Sequence, residues 1–230
     1  MLYYSRCRLT SYNRIEKVKE LFARVVNIAK GAALMTETRM EYEVTMAFSD
    51  YVPNKTLAAL ADECLQEVGA PQWTAEEYKL AADFIRTYPK PIQKTIAETV
   101  EEIYGYERVQ EILARPLDSE IHPFDPKETG YQSGSTDVGD VGYATPTVNI
   151  HVATACVGNV GHSWQNVAFS NSSIGDKGML VAAKALALAT VRTMDQPKLI
   201  EQAKAELLRK NGGKYVCPLP EYAQPPIGKY

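Results

Sequence analysis

The sequence predicts a mixed α/β fold, and three stretches carry that expectation. Arg39 to Ser49 alternates Met40, Tyr42, Val44, Met46 and Phe48 with Arg39, Glu41, Glu43, Thr45 and Ala47, the period of a half-buried strand with one wet face. Thr147 to Cys156 sets Val148, Ile150, Val152 and Thr154 against Asn149, His151, Ala153 and Ala155, and reads as a second strand. Ser172 or Ser173 then opens a helix to about Met194, almost all Ala, Leu, Val and Met, the composition of a helix packed closely on a sheet.

The remaining elements follow in chain order. Leu2 to Cys7 is short and aromatic-rich and is expected as a strand at the chain's start. Ser11 or Asn13 caps a helix with Ile15, Val18, Leu21, Phe22, Val25, Val26 and Ala29 on one face, and Gly31 is expected to stop it. Strand, helix and strand within residues 1–50 predict half of a small split β-α-β unit, separated at Tyr51-Val52-Pro53 from a second domain over 51–230. Asn54 caps the next helix, ended by Gly69. Thr74 and Glu77 form a capping box for another, which Tyr88-Pro89 closes. Pro91 opens a stretch to about Ile112, broken near Gly105. Arg115 to Val141 reads as a long loop, and such loops are functional or disordered. Pro197 to Lys210 is an amphipathic helix after Asp195, halted by Gly212-Gly213, and the proline-rich tail is expected to lie extended.

Composition narrows the class. The 230 residues hold 45% hydrophobic and 23% charged residues with a net charge of -3, which leaves no electrostatic footprint for nucleic acid or an anionic membrane. No apolar run reaches the roughly 18 residues of a membrane span, and MLYYSRCRLT lacks the pattern of a secretion signal. Cys7, Cys64, Cys156 and Cys217 are far apart without a CxxC pair, which predicts free thiols in a reducing cytoplasm.

Three histidines, His122, His151 and His162, are the whole supply. His162 stands beside Ser163 and Trp164 among Gly158, Asn159 and Gly161, where backbone can approach a ligand. It reads as a metal ligand or as a loop histidine bonded to a carbonyl. His151 reads as a buried strand histidine satisfied by a neighbour, and His122 as a turn residue. Asp137 and Asp140 in GSTDVGDVG are ligands, a base or turn formers; with Ser135 and Thr136 they suit a substrate pocket. Asn54 belongs with Asp137 and Ser135 as a candidate substrate contact, with a helix cap as its alternative role. No nucleophile elbow, phosphate loop, dinucleotide fingerprint or HExxH helix is present, so no catalytic residue is assigned. Cys156 reads as core.

NIAKGAALMTETRMEYEV, YVPNKTLAALADECLQEVGAP, SGSTDVGDVGYATPTVNIHVATA, GHSWQ and the YVCPLP tail together resemble the aminoacylase/carboxypeptidase-type metallo-amidohydrolases, in particular the subgroup acting on aminobenzoyl-glutamate. The resemblance implies a phosphorylase/hydrolase-like α/β catalytic domain, of which 51–230 would be the C-terminal part. Residues 1–50 would be the C-terminal half of a ferredoxin-like lid and dimerisation domain. It implies zinc or manganese in a complete subunit, with His162 matching the last metal-binding histidine and the Asp137 loop bordering the substrate. The other ligands and the general base have no counterpart here, so stable metal binding by this chain alone is not expected. Two readings follow: the C-terminal portion of a zinc-dependent amidohydrolase cleaving an amide of an amino acid, or a non-catalytic oligomerisation or partner subunit. The implied partners are a second copy or a complementary N-terminal polypeptide, and a small-molecule amide. Asp137 and His162 are expected on one side of the structure.

Overall fold

All the regular structure among the described residues is helical. The computed structural model describes residues 15–126, 136–224 and 227. Its helices are α1 (Ile15–Met35), α2 (Lys55–Val68), α3 (Ala75–Thr87), α4 (Lys90–Tyr104), α5 (Val109–Ala114), α6 (Val138–Ala144), α7 (Trp164–Ser170), α8 (Ser173–Asp195) and α9 (Pro197–Asn211), with a 3-10 turn at Tyr106–Arg108. The mixed α/β expectation is therefore corrected, because Arg39 to Ser49 and Thr147 to Cys156 pair with no second backbone among these residues. Alternation reports a side-chain pattern, whereas a strand exists only where another backbone supplies its hydrogen bonds. The Ser49 amide illustrates the substitution: it donates to Asp140 Oδ2 at 3.3 Å. Nor does the pattern bury one face, since Tyr42 and Met46 are exposed. The predicted strand at Leu2 to Cys7 and the caps at Ser11 and Asn13 lie outside the described residues.

Residues group into two compact units: 1–57 with 126–147 and 201–230, and 58–125 with 148–200. In the first unit, α1 passes straight through Gly31, which the sequence assigned as its stop. Alanines 29, 32 and 33 and Leu34 flank that glycine, and strong helix formers outweigh its cost of about 1 kcal/mol. The amide of Ile15 donates to Asp50 Oδ1 at 3.2 Å, and Phe22 meets the ring of Tyr42 edge-on at 5.7 Å. The end of the loop predicted over Arg115 to Val141 is instead the start of α6, whose Gly139 and Gly142 lie against the backbone of 49–52. A Cβ on Gly139 would stand 2.0 Å from the Ser49 carbonyl oxygen.

The second unit is built around Ala81, Ile85, Tyr88, Ile96, Leu117, Cys156, Phe169 and Ile174. Here α4 packs on α5, α3 on α5, and α7 on α8. The capping box forms as the sequence predicts: Thr74 Oγ1 accepts from the Glu77 amide at 3.3 Å, and Glu77 Oε2 accepts from the Thr74 amide at 2.7 Å. Glu77 also takes Ser173 Oγ and Lys177 Nζ, each at 2.7 Å, tying α3 to α8. These donors outweigh its burial and hold its carboxyl down at about 2. α3 ends before Tyr88-Pro89, and α4 closes on Gly105, whose φ of 83° only glycine adopts freely. Among the described residues α8 has no sheet to lie on. Its Gly175 and Gly178 instead approach backbone of 169–170 and of 153, and Met179, Leu180 and Met194 remain exposed.

Candidate functional site

His162 occupies the left-handed region, with φ of 58°, a conformation that costs a non-glycine residue about 1–2 kcal/mol. Its side of the turn is open to solvent. What holds the backbone there is a chain of polar contacts beneath it. Ser163 is the N-cap of α7; its hydroxyl accepts from the Asn166 amide at 3.2 Å and donates to the Val160 carbonyl at 2.7 Å. Tyr88, at the end of α3, donates to Asn159 Oδ1 at 3.0 Å and lies 3.3 Å from Ser163 Oγ. Asn159 Nδ2 in turn donates to Asn166 Oδ1 at 2.6 Å. Gln165, buried, donates to Thr87 Oγ1 at 2.9 Å. The histidine is thus presented outward on a turn clamped from below, the combination of local strain and over-determined surroundings found at functional sites.

The sequence singled out His162 and missed its supports. In the sequence Tyr88 marks only a helix terminus and Asn159 only a loop. The one legible signal is Ser163 itself, a favoured N-cap residue, at the start of the short helix α7, which the sequence reading leaves within the His162 loop.

The other candidates divide. Asp137 lies in the first unit and His162 in the second. Asp137 is exposed, immediately before α6, and accepts from Thr136 Oγ1 at 3.4 Å. Asp140 serves the fold: it takes Ser49 Oγ at 2.6 Å and Tyr215 Oη at 3.2 Å. Asn54 is 3% exposed and engaged at both ends, Oδ1 accepting from the Leu57 amide at 3.1 Å and Nδ2 donating to the Ala203 carbonyl at 2.9 Å. Its helix-cap role is the one the geometry displays. Ser135 lies outside the described residues. His151 is exposed, not buried as expected, because the strand that was to enclose it has no partner among the described residues. His122 Nε2 contacts Asp118 Oδ2 at 2.9 Å. Cys156 is buried and its thiol is pushed up to about 12 by desolvation, so it stays protonated and unreactive in the core.

Comparison with known proteins supplies the context for this arrangement. The chain is 32% identical over 216 residues to the B subunit of p-aminobenzoyl-glutamate hydrolase from Escherichia coli K12. That alignment takes in 90% of the chain. The chain is close to the family of that protein. It spans 44% of the relative's length, in the relative's C-terminal part. No family model matches, and no solved structure matches.

The metal ions implied by the resemblance do not fit the described residues as a complete centre. Among those residues no three His, Cys, Asp or Glu side chains are grouped to hold an ion. A tetrahedral site needs three or four protein ligands, more than the described residues bring together. Among the described residues, no helix is long and apolar enough to cross a membrane.

Proposed function

We propose that this chain is the C-terminal portion of a zinc-dependent amidohydrolase that cleaves an amide of an amino acid, an aminobenzoyl-glutamate-like compound, and that it is inactive without a complementary polypeptide. The observation that carries this reading is the 32% identity over nearly the whole chain to the E. coli hydrolase, with His162 of GHSWQ exposed on a turn clamped from below. In the complete site His162 contributes one metal ligand, and Asp137 with Ser135 borders the substrate. The metal would polarise the scissile carbonyl, and the remaining ligands come from outside the described residues. The cell compartment consistent with free Cys64, Cys156 and Cys217 is the cytoplasm.

The test is complementation. The chain is purified alone and together with the N-terminal part of the E. coli relative, and release of p-aminobenzoate from p-aminobenzoyl-glutamate is measured with zinc or manganese added. The chain alone gives no release and no stoichiometric zinc by elemental analysis. The mixture gives release that His162→Ala abolishes. Activity of the chain alone, or a mixture indifferent to His162, overturns the reading.

A second reading, a non-catalytic oligomerisation or partner subunit, is favoured by the exposed apolar side chains of α1 and the segment after it: Leu34 is 83%, Met35 81% and Met46 66% exposed. Light scattering over a wide concentration range, together with the DNA sequence just upstream, separates the two. An adjacent frame encoding a metal-ligand set supports the enzyme part; self-association with no complementing activity supports the partner subunit.

A further inference from the structure

Trp164 is 60% exposed, two residues along from His162. A tryptophan left more than half in water forgoes much of the burial that its large apolar surface would otherwise gain. Among the described residues its ring meets Phe84 edge-on at 5.8 Å and 69°, and Phe84 itself leans on the buried Phe169 at 4.7 Å. One border of the indole is thereby fixed while most of it stays open. One turn along α7, Val167 is 68% exposed on the same side of the helix. The platform is rigid at its base, since Trp164 follows the Ser163 cap directly and the Tyr88–Asn159–Asn166 contacts hold the preceding turn.

We infer that Trp164 and Val167 form the surface that receives the aryl ring of the substrate's acyl half, beside His162; this rests on the amidohydrolase reading above. An indole offers a flat, uncharged face at little conformational cost, having two side-chain torsions and one border already restrained by Phe84. The platform carries no charge, so it suits the neutral ring and not the carboxylates of an amino-acid half. Its nearness in the chain to His162 matches an aroyl amide, in which the ring is bonded directly to the scissile carbonyl. Amides with a small aliphatic acyl group have nothing to lay on this surface.

Two measurements test this. In the first, the indole N–H signals of the isolated chain are followed by NMR during titration with p-aminobenzoyl-glutamate and, separately, with N-acetyl-glutamate. The Trp164 signal moves with the aroyl compound alone. Trp73, whose Nε1 donates to the Asp118 carbonyl at 2.8 Å, serves as the internal control and stays in place. A Trp164 signal that ignores the aroyl compound, or follows both compounds equally, overturns the inference. In the second, the complemented enzyme carrying Trp164→Ala shows KM for p-aminobenzoyl-glutamate raised about tenfold with little change for N-acetyl-glutamate, and Trp164→Phe retains most of the wild-type value. Equal losses on both amides overturn the platform while leaving the hydrolase reading intact. Absence of any hydrolysis in the wild-type mixture counts against the hydrolase reading, and the NMR titration still decides the platform.

Discussion

The carboxylate of Glu206, on α9, closes the first turn of α2 at Thr56. Glu206 Oε2 accepts the Thr56 amide at 3.0 Å and its hydroxyl at 2.9 Å, and Oε1 accepts the Lys55 amide at 2.8 Å. Lys210 completes the arrangement at 2.7 Å from Oε1. α2 has no acidic residue in its own first turn, and a helix start leaves amides without internal partners. Asn54 takes the Leu57 amide, so three consecutive donors are met by two side chains far apart in sequence.

That carboxylate makes stability acid-sensitive. Its donors outweigh burial and hold the Glu206 carboxyl down at about 2, against an ordinary value near 4.5. A depressed carboxyl contributes stability that is fully present above its unfolded value and is lost as pH falls through the folded one. Urea unfolding midpoints should therefore drop between about pH 4.5 and 2 in the native chain, and Glu206→Gln should make that part of the profile shallower, leaving the share of Glu77, whose carboxyl is also held at about 2. At pH 7 the substitution should cost about 2–3 kcal/mol, the scale of hydrogen bonds to a charged group.

Glycine substitutions should separate by sign. Gly31 lies inside α1, and a Cβ added there would have nothing within 4 Å, so Gly31→Ala should stabilise by about 1 kcal/mol. On α8, a Cβ at Gly178 would meet the Ala153 carbonyl oxygen at 2.2 Å, and Gly178→Ala should destabilise by about 3 kcal/mol. Thermal unfolding of both variants checks this, and the same sign for both would contradict it.

The strained turn offers a third test. At φ of 58°, His162→Gly should match or exceed the wild type in stability, while His162→Val should lose about 1–2 kcal/mol. Tyr88→Phe removes the hydroxyl under that turn and should speed amide hydrogen exchange over 157–163 while leaving α8 unchanged.

Thiol chemistry gives a fourth. Of the three described cysteines, Cys217 is exposed whereas Cys64 and Cys156 are buried, and burial lifts the Cys156 thiol to about 12. An alkylating reagent at pH 8 should label Cys217 within minutes and spare the other two until denaturant is added, as read by peptide mass spectrometry.

Helix boundaries were legible because their causes are local. Thr74 and Glu77, Asn54, Gly69 and Gly105 each act within a few residues, and each appears where the sequence put it. Gly31 misled because its penalty is smaller than the summed preference of its neighbours. Alternation at 39–49 and 147–156 misled for another reason: pairing depends on a second segment, which no local pattern encodes. At the candidate site His162 stood out through its glycine-rich surroundings. Tyr88, far away in the chain, did not, since a hydroxyl reaching a distant turn leaves no periodic trace. Glu206 was hidden in the same way, as an ordinary glutamate on an amphipathic helix.

Gly139 and Gly142 give the STDVGDVG motif a meaning apart from chemistry. Both present bare backbone to the chain at 49–52, with Val52 the nearest neighbour of Gly142. The two stretches are therefore a matched pair whose spelling and spacing are set together. An inserted or deleted residue between Ser49 and Val52 shifts the surface that the glycines were shaped to meet, and a side chain restored at 139 requires that backbone to retreat. Variation should be free at Val141, which points into solvent, and confined at the two positions on either side that do not.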